Sequence, residues 1–216
     1  MIRARSTRTS AARRAASSQP WRTRVQASSR RFVLLGGVAC LLPFRALAAE
    51  QLHIGGRHGS IDFAIGDSKV FRTTGSFKDW QGTVLVDDGD AARSTVAVKV
   101  NTGSIEMLDP QQTAMLKDVD FFDVAKFPDM TYRSKRIERI GDGTLKVEGE
   151  VTLRGITRPM ALDVAVTDRR PDASAGARYA RFRASGSLKR SEFGMVKYVE
   201  VVGDTVDISI RTDAWR

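Results

Sequence analysis

The sequence predicts an all-β, antiparallel fold of about eight strands, either a closed barrel or a two-sheet sandwich, with one short helical insertion. Two observations predict it, and a third says what must hold it together. Over residues 144–153 every odd-numbered residue is apolar or Gly and every even-numbered one is polar. A period of two sorts the two sets onto opposite faces of a strand. The same alternation returns over 160–166, 177–189 and 205–211, with Gly-, Pro- and Asp-rich breaks between. Finally, the only cysteine is Cys40. The chain beyond residue 48 therefore has no disulfide, thiol nucleophile or Cys-ligated metal, and a core must hold it together.

In order, residues 52–65 read as an opening strand or two, with Ile61, Phe63 and Ile65 on one face. Gly66-Asp67-Ser68 is a turn signal, and short strands follow at 70–77 and 83–87, separated by 78–82. After the acidic turn 87–90, Val96, Val98 and Val100 alternate with polar or small residues. Residues 104–127 have no period of two. Asp109-Pro110 reads as a helix N-cap with proline in the first position, opening a helix over 111–118. The aromatic and acidic run 118–128 reads as a lid that plugs one end of the sheet. Strands resume at 130–140, and Gly141-Asp142-Gly143 turns into the central strand 144–153. Residues 154–159 read as a turn, because Gly155 accepts positive φ and Pro159 fixes its own φ. Residues 168–176 and 190–203 are loops, and 205–211 is the closing strand. The inward set includes Gly149, Ala184, Gly186 and several valines. Small residues of this kind leave room for one small ligand, and they also occur where a barrel bends.

The formal charge is +10, which by itself suggests nucleic acid or an anionic surface. Its location reverses that inference. Ten arginines and no Lys, Asp or Glu lie in residues 1–48, so 25 basic and 25 acidic residues remain beyond them. Without a basic stripe, nucleic acid is not expected as a partner. Residues 1–48 read instead as a cleaved export signal, and 49–216 as one domain. The apolar run 32–42 is shorter than the roughly 20 residues needed to span a bilayer. Ala46-Leu47-Ala48 fits small-x-small cleavage, and Ser29-Arg30-Arg31-Phe32 resembles a twin-arginine signal. The expected destination is the periplasm, by the twin-arginine or the general secretory route, with a mitochondrial presequence as the alternative. Gly37 stands where a lipoprotein signal carries a Leu-like residue before its cysteine, so no lipid anchor is expected at Cys40.

The ordered set Phe63, Gly75-Ser76-Phe77, Trp80-Gln81-Gly82, Ser104-Ile105, 116–122, Phe127-Pro128, Tyr132, 149–157 and 190–194 resembles the YceI-like family. The resemblance covers nearly all of the chain beyond the leader. It implies a lipocalin-like extended antiparallel barrel, usually periplasmic, that binds long amphiphiles in an apolar pore. The ligand class is polyisoprenoids, isoprenoid quinones or fatty-acid derivatives, and no enzymatic activity is implied. Where the family commonly has a histidine after the first strand's phenylalanine, this chain aligns Asp67. An anionic head group would be repelled there.

The candidate pore lining is Phe63, Phe77, Trp80, Val98, Phe121, Phe122, Phe127, Tyr132, Val147, Val151, Leu162, Val164, Phe182 and Phe193, with a filled core as the competing reading. Asp67, Arg154, Arg158 and Arg190 are candidate head-group contacts, with ordinary surface charge as the alternative. No catalytic residue, metal ligand or cofactor is expected beyond a bound isoprenoid or quinone lipid. His53 and His58, the only histidines, lack a nearby nucleophile-and-acid set. The carboxylates Glu106, Asp109, Asp118, Asp120 and Asp123 fit neither an EF-hand nor an acid/base pair. The expected partner is an amphiphilic lipid, with transient contact to a membrane or membrane protein, and the expected state is a monomer or homodimer. The alternative function is a filled barrel acting as an interaction module for a membrane or redox partner.

Overall fold

A computed structural model describes residues 50–66, 72–170 and 174–216. The expected export signal with Cys40, the head-group candidate Asp67 and the first residues of the strand expected at 70 lie outside the described residues. All described residues fall in one compact unit, Arg45–Arg216.

The alternating segments become strands β1 (Glu50–Gly55), β2 (Gly59–Ile65), β3 (Thr73–Phe77), β4 (Trp80–Val86), β5 (Thr95–Asn101), β6 (Ile105–Met107), β7 (Asp129–Gly141), β8 (Thr144–Leu153), β9 (Ile156–Thr167), β10 (Arg178–Lys189) and β11 (Thr205–Trp215). Every pairing is antiparallel, and the order runs β1-β4-β5-β7-β8-β9-β10-β11. β11 then returns to β1, with Trp215 opposite His53. β2 continues β1 beyond a 3-10 turn at Gly56–His58, β3 runs into β4 across Lys78-Asp79, and β6 continues β5 beyond a second turn at Thr102–Ser104. Each broken pair acts as one strand, so the sheet is an eight-stranded closed barrel. Closure removes the sheet edge that an open sandwich would leave.

The period-two reading holds through the central hairpin. Val147, Gly149, Val151 and Leu153 are buried, while Lys146 and Glu148 are exposed. The expected turn at 154–159 is shorter in the structure. Only Arg154 (φ 52°) and Gly155 (φ 74°) form it, the double left-handed geometry of a tight hairpin. β9 already begins at Ile156 and includes Pro159 opposite Glu150. β9 pairs with β10 only over Asp163 to Thr167. The missing N–H of Pro159 therefore breaks no ladder on that side. β4 likewise starts at Trp80, three residues before the expected strand, because the 80–82 segment pairs with Val100 to Val98 of β5.

Helix α1 (Pro110–Lys117) forms as its N-cap predicts: Asp109 accepts a hydrogen bond from the Gln111 amide at 2.8 Å, with proline following the cap. A short second helix, α2 (Val199–Val202), lies in the β10–β11 connection. The barrel thus has two unlike ends. The hairpin end carries the β4–β5, β7–β8 and β9–β10 connections. The helix end carries α1, residues 118–128, the Arg154-Gly155 turn and the 190–204 connection. Along the wall the outward residues are polar, as with Lys146, Glu148, Arg181, Arg183, Ser185 and Asp207, and the inward ones are apolar. That polarity is the reverse of what a lipid-spanning barrel requires. No helix among the described residues is long and apolar enough to cross a membrane.

Candidate ligand cavity

The inward faces do not meet across the barrel. They enclose a cavity of about 370 Å³ that runs from the hairpin end toward the waist. A second cavity of about 210 Å³ lies against the helix end. Ile61, Met130, Leu188 and Ile208 border both, so the two chambers share a waist. A volume of a few hundred Å³ with mostly apolar walls is typical of a small-molecule site. Several inward residues, Val98, Val164, Phe182, Ala184 and Ile210 among them, keep partial exposure and border the larger chamber. Their accessible surface faces the hollow.

Of the candidate lining residues, Trp80, Val98, Tyr132, Val147, Val151, Leu162, Val164 and Phe182 border the larger chamber. Phe63, Phe77, Phe121 and Phe122 border the smaller one. Phe77 packs on Phe63 at 5.8 Å and edge-on to Phe122 at 5.6 Å between ring centres. Two candidates border neither chamber. Phe193 is almost fully buried in the solid part of the core beside Leu153, Met160 and Met195. Phe127 packs its ring against Gly155, on the hairpin turn. Both lie on connections between strands, where the inward and outward parity of a strand gives no guidance.

The small inward residues also sort differently from expectation. Ala184 borders the larger chamber. Gly149 instead makes room for Tyr132: a Cβ there would stand 2.6 Å from the Tyr132 hydroxyl and 2.4 Å from the Arg133 carbonyl oxygen. Gly186 allows β9 to approach, since a Cβ would lie 2.7 Å from the Ala161 carbonyl oxygen. The Tyr132 hydroxyl donates toward the carbonyls of Val147 at 3.2 Å and Met160 at 3.4 Å. Burial, helped by the charge of Glu148, pushes its pKa up to about 12. It therefore stays a neutral donor tied to the wall. Trp80 contributes a buried indole N–H with no partner among the described residues.

Two of the candidate arginines, Arg154 and Arg190, tie the helix end together through backbone carbonyls. Arg154 donates through Nη1 to the carbonyls of Val119, at 2.9 Å, and Phe121. It fastens the 118–128 segment to the β8–β9 turn. Arg190 is buried and donates to the carbonyls of Gly203 (2.9 Å), Met195 (3.1 Å) and Lys197 (2.7 Å). Burial lowers its pKa and the charge of Asp204 opposes that. Among the described residues it is the one head-group candidate that borders a chamber, the smaller one. Arg158 is exposed, contacts only its neighbour's carbonyl and borders neither chamber. Lys197 pairs with Asp120, and Tyr198 stacks near Phe121 at 6.4 Å, so residues 119–121 and 195–198 clasp each other over the smaller chamber. This clasp is invisible in the sequence, because its partners lie about 77 positions apart.

At the hairpin end the Tyr179 hydroxyl donates to Asp88 at 2.9 Å, and Arg169 reaches both groups. Asp87 is buried, accepts from the Gly89 and Asp90 amides and faces Arg93 at 3.1 Å. The other carboxylates have local work as well: Asp109 caps α1 and Asp120 pairs with Lys197. His53 is exposed on β1, and His58 packs its ring on Trp215 at 4.6 Å. Among the described residues no group of three or more His, Cys, Asp or Glu is placed to hold a metal ion.

A model of the YceI-like domain matches residues 53–214, from β1 to the end of β11. The chain belongs to the YceI-like family. Protein YceI of Salmonella newport is 30% identical over 169 residues, covering 78% of this chain and 87% of its own length. The YceI-like barrel also superposes on BcnA of Burkholderia cenocepacia with a TM-score of 0.62 at 23% identity, covering 73% of this chain and 96% of that one. A polyisoprenoid binding domain from Saccharophagus degradans, implicated in plant cell wall breakdown, superposes with a TM-score of 0.54 at 12% identity, covering 77% and 98%. At these identities the two superpositions show a shared fold. In this YceI-like chain the helix end, with its clasp and α1, falls inside the matched span.

Proposed function

We propose that this YceI-like barrel binds a long apolar amphiphile, a polyisoprenoid, isoprenoid quinone or fatty-acid derivative, and shields it from water as a periplasmic carrier or scavenger. The observation that carries the reading is the pair of apolar chambers that lie next to each other inside the barrel, with Ile61, Met130, Leu188 and Ile208 on both linings. The binding described for the Saccharophagus degradans domain points the same way. Burial of a chain yields about 0.8 kcal/mol per CH₂. A tail of ~10 carbons would then offset an association cost of several kcal/mol without any charged contact. The proposed role asks no bond-making of the protein, so we assign no catalytic residue.

Native mass spectrometry of protein isolated from its own cell envelope tests this, followed by organic extraction of any adduct. The expected result is a stoichiometric adduct with a long apolar chain. A bare mass that stays bare after incubation with quinones, fatty acids and isoprenoid phosphates would overturn the carrier reading and favour an interaction module.

A further inference from the structure

Five large apolar side chains stand exposed around the helix end: Leu108, Val119, Val196, Tyr198 and Val201, with Leu108 wholly and Val201 85% exposed. They come from three separate stretches of chain, the β6–α1 junction, the 118–128 segment and the 190–203 connection. These same stretches wall the smaller chamber, through Met107, Phe121, Met195, Lys197, Tyr198 and Val202. These exposed apolar residues thus stand on the stretches that close one end of an apolar chamber. The only comparable residue elsewhere among the described residues is Ile140, on the hairpin end.

We propose that the helix end docks on a lipid bilayer, inserting these five side chains as a rim so that the smaller chamber opens onto the acyl region. The inference rests on the amphiphile-binding reading, because a ligand of that class resides in a membrane and leaves it slowly through water. A rim that enters the bilayer gives the ligand a continuous apolar route from leaflet to chamber. Tyr198 suits the interface, with an apolar ring and a polar tip. It sits at φ 59°, held there by the clasp in a conformation uncommon for a bulky residue. Charge does not supply the attraction. Residues 108–128 and 195–203 together carry five carboxylates (Asp109, Asp118, Asp120, Asp123, Glu200) against three lysines (Lys117, Lys126, Lys197). Docking is therefore apolar, insensitive to salt and not enhanced by anionic lipid.

The test is flotation of the full chain with phosphatidylcholine vesicles, at low and high salt, for the wild type, Leu108→Ser/Val201→Ser and Ile140→Ser. These vesicles have no net charge to attract the arginine-rich residues 1–48, which all three proteins share. The expected result is vesicle binding by the wild type at both salt levels, about tenfold less by the rim variant, and no change for Ile140→Ser. The substituted side chains are exposed, so unfolding midpoints should match. Equal binding by all three, an equal loss in Ile140→Ser, or no wild-type binding would overturn the proposal. Uptake of a fluorescent fatty acid delivered from cyclodextrin separates the two readings. Uptake by a wild type that does not float would sink the docking inference alone. Flotation through the rim without uptake would sink the carrier reading alone.

Discussion

Ala184→Asp puts a carboxylate in the wall of the larger chamber. Ala184 lies mid-way along β10, paired with Val164 on one side and Ile210 on the other, and faces the cavity. In the empty barrel the new carboxylate keeps contact with cavity water, so the variant should fold. A bound apolar tail removes that water and offers no hydrogen bond in return. Burying a polar group without a partner costs roughly 2–7 kcal/mol, and the lower bound already weakens Kd about 30-fold. Desolvation also raises the pKa of the introduced acid above its usual value of about 3.9. Binding should therefore be weakest at neutral pH and recover as pH falls through that raised value. The assay is displacement of an environment-sensitive fatty-acid probe at pH 8 and pH 5, with thermal unfolding as the control for folding and Ala184→Ser as the mild comparison. A folded Ala184→Asp protein that binds within threefold of the wild type at pH 8 would refute the claim that the tail occupies this chamber.

Three further outcomes follow from particular contacts. Gly149→Ala must push the β7 backbone and the Tyr132 ring, an overpacking cost of about 1–3 kcal/mol; the unfolding midpoint should drop by roughly 2–12 °C, and an unchanged midpoint would show that β7 yields freely. Arg154→Met keeps an unbranched apolar stem and removes both hydrogen bonds to the Val119 and Phe121 carbonyls, so it should destabilise by about 1–3 kcal/mol and speed amide exchange over 118–123 while leaving β8 protected. The Asp213 carboxyl is held below the usual carboxylate range by its hydrogen bond to Arg181 at 2.8 Å, with Arg178 adding to the effect. A depressed folded-state pKa stabilises the protein above the unfolded value of about 3.9 and loses that contribution as pH falls further. Asp213→Asn should therefore unfold earlier than the wild type at pH 7, and the difference should begin to narrow as pH falls below about 4; a gap that does not narrow at all on further acidification would contradict the ion-pair account.

The strand walls were legible in the sequence because a strand buried on one face writes its geometry as a period of two. Residues 144–153 and 178–189 carry that record plainly, and Val147, Val151, Val164 and Phe182 border the hollow as their parity implies. Legibility stops where the chain leaves a strand. β6 is three residues long, too short to show alternation, and was absorbed into the aperiodic stretch after residue 104. Pro159 reads locally as a turn former, and only the absence of a registered β10 partner beside it explains its place in β9. Phe127 and Phe193 look like the other aromatics, yet their destinations depend on contacts with Gly155 and Met195 that no local pattern encodes. The same is true of Arg154 and Arg190. A lone arginine near a strand end looks alike whether it greets a ligand or ties down a loop. Gly149 shows the converse limit: a missing side chain in the wall is compatible with open space or with a bend, and only the structure shows that Tyr132 fills the space.

Closure of the ring between β1 and β11 makes the hollow a late-arriving property of the chain. β11 is the last strand in sequence and sits between β10 and the first two strands, with 135 positions or more separating its partners on that side. Without β11 in place, the ladder from β1 to β10 would be open on one edge, with its apolar inner face uncovered there. Contacts that span nearly the whole domain are slow to form. An apolar molecule that reached the inner face before closure would have to pass neither end of the finished barrel.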